Sequence, residues 1–183
     1  TGEEIIGAAF KTRGELIKRF VKLLPFTLTG AQKKVLGEIM KDLEKKKPMN
    51  RLIQGDVGSG KTIVALTALL TAVDNGRQSA LMVPTEILAE QHYFNISLYC
   101  EKLDVEIKLV TSALKGKERQ TYFEEIQSGK TQIVIGTHSL IQKDIKFKKL
   151  GLVVIDEQHR FGVIQREAIG KKGKQPHIII MTA

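Results

Sequence analysis

A glycine-rich stretch that ends in lysine and threonine carries the clearest chemistry in this sequence. It reads Gly55-Asp56-Val57-Gly58-Ser59-Gly60-Lys61-Thr62 and fits the phosphate-binding pattern of glycine, four variable residues, glycine, lysine and serine or threonine. An apolar pair before it can end a strand, and an apolar run after it can begin a helix. Inward-turned backbone N–H groups and the positive end of that helix would hold a phosphate chain. A glycine-rich turn with a surface lysine is the simpler alternative.

Each residue of this motif, the phosphate loop, has an expected role. Lys61 would contact the β- and γ-phosphates, and the Thr62 hydroxyl would occupy one position on a magnesium ion. The predicted nucleotide-binding residues of the loop are Gly55, Gly58, Ser59, Gly60, Lys61 and Thr62.

Two adjacent acids, Asp156 and Glu157, directly follow the apolar run Leu152–Ile155. A strand that delivers a carboxylate to the edge of a sheet is what a phosphate loop needs for its metal, so Asp156 would hold magnesium. Glu157 would then orient and activate the attacking water. Two acids at a strand end can also merely solvate a turn, but the phosphate loop upstream favours the catalytic interpretation.

Apolar runs alternate with helical patterns along the chain. Strands are predicted at Leu52–Ile53, Ala80–Val83, Val105–Val110, Ile133–Ile135, Leu152–Ile155 and Ile178–Ile180. Such alternation predicts an α/β domain with a parallel sheet covered by helices on both faces. The strand at Val105–Val110 alternates apolar and charged residues, which indicates a position near a sheet edge. Ligands of such sheets bind beyond the carboxyl ends of the strands, and the phosphate loop and the acid pair both fall at such ends.

Residues typical of helix starts and helix ends lie between these strands. Thr29 is placed to cap a helix through Leu43, Pro84-Thr85-Glu86 starts another, and Ser128-Gly129 closes a third. Upstream, the apolar residues between Glu3 and Leu24 keep roughly one helical face, with Gly14 as a weak point. That segment can pack on the domain or serve as a linker helix with its partner upstream. The second role is preferred because Pro25 closes the segment.

Composition narrows the class of protein. A chain of 183 residues suits one domain, and no apolar run reaches the length of a membrane span. The single cysteine, Cys100, cannot form an internal disulfide, which fits a reducing cytoplasm. The formal charge of +9 favours anionic partners such as nucleic acid. Since tryptophan is absent, contact with the nucleic-acid backbone is expected rather than base stacking.

The histidines show no metal-ligand spacing. His92, His138, His159 and His177 are scattered, and Cys100 has no paired cysteine, so a zinc site is not expected. His92 and His177 are interpreted as ordinary helix and strand-boundary residues. His159 differs because it follows the acid pair.

These motifs resemble the superfamily-two helicases and translocases, and among them the RecG-type branch-migration helicases. The most specific segments are the phosphate loop, Pro84-Thr85-Glu86-Ile87-Leu88-Ala89-Glu90-Gln91-His92 and Asp156-Glu157-Gln158-His159-Arg160-Phe161-Gly162. Met181-Thr182-Ala183 is similar to the start of the third helicase motif. Coupling translocases of transcription repair usually carry glutamate where Gln158 stands, so the RecG type is the better match.

The resemblance implies further site residues. Phe26 would pack on adenine and Gln32 would read its edge, although both also suit a helix entry. Pro84 and Thr85, with Thr137 and His138, would contact the nucleic-acid backbone, whose phosphates position a strand without reading its sequence. Gly116 belongs to the same track or simply forms a turn. His159 and Thr182 would couple the phosphate state to this track.

The resemblance also implies the organisation of the whole protein. Residues 1–24 are expected to form a linker helix, and residues 25–183 the first RecA-like motor domain of a larger, monomeric, cytoplasmic protein. A second RecA-like domain would supply an arginine finger, and a wedge domain would grip branched DNA. The expected function is ATP- and Mg²⁺-dependent translocation on duplex DNA that remodels forks and Holliday junctions. The alternatives are a transcription-repair coupling translocase and a nucleotide-binding switch without catalysis.

Overall fold

The computed structural model describes residues 9–45, 50–54, 59–137, 145–156 and 176–182. The elements follow in the order α1 (Glu15–Leu23), α2 (Gly30–Leu43), β1 (Asn50–Gln54), α3 (Ser59–Asp74), β2 (Gln78–Met82), α4 (Glu86–Lys102), β3 (Ile107–Val110), α5 (Gly116–Ser128), β4 (Ile133–Gly136), β5 (Leu150–Asp156) and β6 (His177–Thr182). Within these ranges, no helix is long and apolar enough to cross a membrane.

The described strands form one parallel sheet in the order β1-β6-β5-β2-β4-β3. Each predicted strand is present, and β3 lies at an edge as its alternating pattern predicted. Because all the strands run the same way, their carboxyl ends meet at one edge of the sheet. The prediction of a parallel sheet is therefore confirmed.

Two apolar cores cover the two faces of this sheet. Alternation along β2 separates them, since Leu81 belongs to a large core while Ala80 and Met82 belong to a small one. The large core takes side chains from α1, α2, α3 and α4, and the small core takes Ile126 of α5 and Ile145. Helices therefore pack on both faces, as the sequence predicted.

Helix starts and stops follow the chemistry expected from the sequence. The Thr29 hydroxyl accepts from the backbone N–H of Gln32 at 3.1 Å, and the side-chain amide oxygen of Gln32, Oε1, accepts from the backbone N–H of Thr29 at 2.8 Å, which completes a capping box. Thr85 caps α4 by accepting from the Leu88 N–H at 3.2 Å. Gly129 ends α5 in the left-handed conformation, with φ of 85°.

A bulge at Gly151 sets which side of the sheet each residue of β5 faces. Gln78 pairs with Leu150 but Ser79 pairs with Leu152, so Gly151 is an extra residue in the ladder. A Cβ at position 151 would lie 2.7 Å from the Arg77 Cβ, a distance that only glycine avoids. After the bulge, Leu152 and Val154 face the large core, while Val153 and Ile155 face the small core.

The N-terminal segment departs from the prediction. Lys11–Gly14 is not helical, α1 begins only at Glu15, and residues 1–8 lie outside the described residues. Phe20 of α1 is fully buried in the large core, with its ring edge to the Tyr99 ring at 5.4 Å between centroids. The described part of the segment thus packs on the domain. Packing on the domain was one of the two roles expected for this segment, and the linker role of residues 1–24 and the domain boundary at residues 24 and 25 stay predictions.

The start of α1 is fixed by a side chain from another helix. Gly14 at its N-cap position has no side chain, and the Asp74 carboxylate at the end of α3 takes over its role. Asp74 Oδ1 accepts from the Leu16 N–H at 2.9 Å, and Oδ2 accepts from the Ile17 N–H at 3.1 Å. A Cβ on Gly14 would lie 2.3 Å from Asp74 Oδ2, so the glycine makes room for this cap.

We expect the substitution Asp74→Ala to lower the free energy of unfolding by about 1–2 kcal/mol, because it removes the acceptor for two helix N–H groups. Urea unfolding followed by circular dichroism measures the change. Glu101→Ala, at an exposed position of α4, is the control and should change stability by less than about 0.5 kcal/mol. Equal stability of the two variants would contradict a capping role for Asp74.

Candidate functional site

The helix that follows the phosphate loop begins at the carboxyl edge of the sheet. β1 ends at Gln54 and α3 begins at Ser59, so Lys61 and Thr62 lie in the first turn of α3 and both are partly exposed. Gly55 and Gly58 lie outside the described residues, and Ser59 and Gly60 are described as helical backbone only. The positive end of the helix dipole is therefore at the loop that was predicted to hold phosphates.

Asp156 lies at the same edge as this helix start. In the register of the sheet, Met181 of β6 pairs with Ile53 of β1 on one side and with Asp156 of β5 on the other. Two strand spacings, about 10 Å, thus separate the end of β1 from Asp156. Because alternation after the bulge puts position 156 on the side of Leu152 and Val154, Asp156 faces the same side of the sheet as α3.

The chemistry of these groups suits a hard cation beside a phosphate chain. Thr62 offers a hydroxyl oxygen and Asp156 a carboxylate on a residue that is only 8% exposed. Oxygen ligands of this kind are what Mg²⁺ prefers, and it usually binds through one or two carboxylates plus phosphates. The residues present thus fit the magnesium ion that the sequence implied. Glu157 and His159, predicted to activate water and to couple, lie outside the described residues.

One residue near Asp156 was not predicted to matter. His92 of α4 places its Nε2 atom 3.5 Å from Asp156 Oδ2. The sequence did contain a signal, since His92 falls three residues after Ala89 and four before Ile96, both of which are buried. A polar side chain on the inward face of a helix needs a partner. His92 thus has an inward position and an acidic neighbour on another element.

The predicted adenine-binding pair has two different surroundings. Phe26 is 46% exposed and borders a cavity of about 480 Å³, which gives an aromatic ring beside an open space. The other residues that line it are Val21, Leu24, Pro25, Thr27, Leu28 and Lys33. The side-chain amide oxygen of Gln32 accepts a hydrogen bond in the capping box, which agrees with the helix-entry alternative for this residue. Adenine recognition by Phe26 and Gln32 stays a prediction.

The predicted nucleic-acid track begins at the start of α4. Pro84 is partly exposed and Thr85 is exposed, and the Glu86 carboxylate accepts hydrogen bonds from both the backbone N–H and the hydroxyl of Ser112. This contact joins the start of α4 to the loop before α5. There Gly116 adopts φ of 66° and lines a cavity of about 360 Å³ with Lys115 and Arg119. The two segments therefore lie side by side, with cationic side chains next to them.

The remaining predicted residues for nucleic-acid contact and coupling are Thr137, His138 and Thr182. Thr137 is 3% exposed, so its side chain is not accessible to a ligand in this structure. This burial disfavours a contact with nucleic acid, which stays a prediction. His138 lies outside the described residues. Thr182 ends β6 and pairs with Gln54, which places its backbone beside the entry to the phosphate loop, but its side chain is not described.

Comparison with known protein families assigns this chain to a class. Residues 29–183 match the DEAD/DEAH box helicase family. The chain therefore belongs to this family, and the predicted RecA-like helicase fold is confirmed.

The individual relatives confirm the resemblance to RecG helicases. The chain is 51% identical over 181 residues to the ATP-dependent DNA helicase RecG of Bacillus subtilis, covering 99% of this chain and 26% of the relative. It is 50% identical over 176 residues to RecG of Synechocystis, covering 96% and 21%. A solved structure of RecG bound to a three-way DNA junction matches with a TM-score of 0.84 and 45% identity, covering 97% of this chain and 24% of that one. The chain thus spans about a quarter of the length of these relatives.

Proposed function

We propose that this chain is the ATP-binding motor domain of an ATP-dependent DNA helicase. The observation that carries the proposal is the position of Asp156, at the same edge and on the same side of the sheet as the first turn of α3. A phosphate loop and a carboxylate at one edge of a parallel sheet can together hold a nucleotide with its metal. Identity of about 50% to RecG helicases supports this choice within the family.

The residues divide the chemistry among them. Lys61 and the backbone of the phosphate loop would neutralise the β- and γ-phosphates, and Thr62 and Asp156 would hold Mg²⁺. That ion would supply positive charge to stabilise the transferring phosphoryl group. Glu157 orients the attacking water, and His159 and Thr182 respond to the phosphate state. Phe26 and Gln32 hold the adenine.

DNA is the proposed macromolecular partner. The solved RecG relative is bound to a three-way DNA junction. In this chain, phosphate oxygens could bind to the exposed hydroxyl of Thr85 and to the positive charges of Lys115 and Arg119, which lie next to Gly116. In the whole protein these contacts would serve movement along duplex DNA and the remodelling of forks and Holliday junctions. A second RecA-like domain, which supplies an arginine finger, and a wedge domain complete the proposed monomer. We place the protein in the cytoplasm, which the single buried Cys100 suits.

The full-length protein is expected to hydrolyse ATP faster with duplex or forked DNA than without it, and to bind DNA less tightly as salt rises. Six phosphate contacts would lower the association constant roughly a thousand-fold between 50 and 200 mM salt. Fluorescence anisotropy with labelled forks and a coupled ATPase assay measure both effects. Affinity that ignores salt would contradict backbone contact. ATP binding without any hydrolysis would instead favour a nucleotide-dependent switch.

A further inference from the structure

The contact between His92 and Asp156 joins α4 to the acid at the end of β5. The imidazole and carboxylate side chains are 15% and 11% exposed, and Nε2 lies 3.5 Å from Oδ2. That separation is slightly longer than an ordinary N–H···O hydrogen bond of about 2.7–3.2 Å. Catalytic-site hydrogen bonds are often long before substrate binds and then tighten. A shift of a few tenths of an ångström would therefore let Nε2–H donate to Asp156.

The helix that carries His92 is held firmly in place. Thr85 caps its first turn, and Ala89, Ile96 and Cys100 are buried in the large core. His92 lies on this same inward face, so its backbone position is set by packing on both sides of it. A side chain fixed on a rigid element can hold the orientation of a neighbouring ligand group.

A carboxylate has two oxygens, and each of them can accept separately. His92 lies next to Oδ2 of Asp156, so Oδ1 could serve as a metal ligand while Oδ2 accepts from the imidazole. Outer partners that hold a ligating group in this way raise metal affinity, and their loss typically costs about 10-fold to 100-fold.

We propose that His92 is a positioning residue for the metal site: its Nε2–H holds Asp156 Oδ2 so that Oδ1 faces the magnesium ion of the bound nucleotide. This inference rests on the proposed function, because it needs a nucleotide-bound Mg²⁺ at Asp156. In this role His92 would act through Asp156 and not by direct contact with the nucleotide or the metal.

The test measures how nucleotide binding depends on magnesium in the full-length protein. Binding of a fluorescent, non-hydrolysable ATP analogue is titrated at increasing Mg²⁺, for the unaltered protein and for three variants. His92→Phe keeps a ring but removes the N–H donor. His92→Gln keeps an N–H donor on a side chain of similar reach. Asn95→Ala, an exposed position one turn further along α4, controls for general effects on the helix.

The Mg²⁺ concentration that gives half-saturation should rise about ten-fold in His92→Phe. It should stay within about three-fold of the unaltered protein in His92→Gln and remain unchanged in Asn95→Ala. Circular dichroism and the urea midpoint show whether each variant is folded. A folded His92→Phe protein with unaltered Mg²⁺ dependence would overturn the inference alone. So would equal impairment of the Phe and Gln variants, since packing rather than the donor would then matter. Failure of the unaltered protein to bind the analogue with Mg²⁺ would overturn the proposed function as well.

Discussion

Replacing Asp156 with asparagine is expected to slow ATP hydrolysis by the full-length protein about a hundred-fold to a thousand-fold, as loss of one preorganised electrostatic group at a reacting centre typically does. The change keeps the shape of the side chain but removes its negative charge. Asp156 is largely buried at the carboxyl edge, on the side of α3, so water cannot readily replace that charge for a metal ion. Steady-state ATPase assays with saturating DNA measure the effect.

The matched control for this experiment is Asp104→Asn. Asp104 is an exposed aspartate outside the site, and its positive φ of 57° suits asparagine equally well. We expect its ATPase rate to stay within about two-fold of the unaltered protein, as for surface substitutions generally. A folded Asp156→Asn protein with a rate close to that of Asp104→Asn would remove Asp156 from the metal site. A different acidic residue would then have to hold the metal ion beside the phosphate loop.

The substitution Phe20→Ala is expected to lower the free energy of unfolding by about 3–5 kcal/mol, the usual cost of deleting a buried phenyl ring. Phe20 is fully buried between α1 and the rest of the large core, and its ring edge packs on Tyr99 of α4. Loss of the ring leaves a cavity between two helices that cannot close without moving α1. Urea unfolding of the 183-residue chain, followed by circular dichroism, measures the change.

Val21→Ala provides the control on the same helix, because Val21 is 53% exposed. The substitution should lower the free energy of unfolding by less than about 1 kcal/mol, since it removes little buried apolar surface. If both variants unfold at the same urea concentration as the unaltered chain, α1 contributes nothing to the stability of the domain. A linker role for α1 that does not depend on its packing would then be favoured.

The sheet and most helix ends could be predicted because their signals are local. Apolar runs such as Leu152–Ile155 mark buried strands, and Thr29, Thr85 and Gly129 act on backbone groups within three residues of themselves. The edge position of β3 could be predicted because its apolar and charged residues alternate. The position of Asp156 at the same edge of the sheet as the first turn of α3 could also be expected, because parallel strands bring their carboxyl ends to one edge.

The features that escaped prediction depend on contacts between distant residues. α1 starts at Glu15 because Asp74, 58 residues away from Leu16, supplies its cap, and no pattern near Gly14 reveals that partner. His92 was missed for a similar reason, since its neighbour Asp156 lies on another element. Its inward position between Ala89 and Ile96 could be predicted from the sequence, but its contact with the Asp156 carboxylate could not.

The extra residue at Gly151 limits how this part of the gene can vary in length. Deleting one residue of β5 after Gly151 would turn Asp156 toward α5 and away from the side of α3, even though every strand could still form. Deleting Gly151 itself would remove only the extra residue and leave Asp156 on its present side. Length changes should therefore be tolerated in the connection ahead of Leu150 and abolish activity between Leu152 and Asp156. A scan of single-codon deletions across this region would show a sharp boundary just after the bulge.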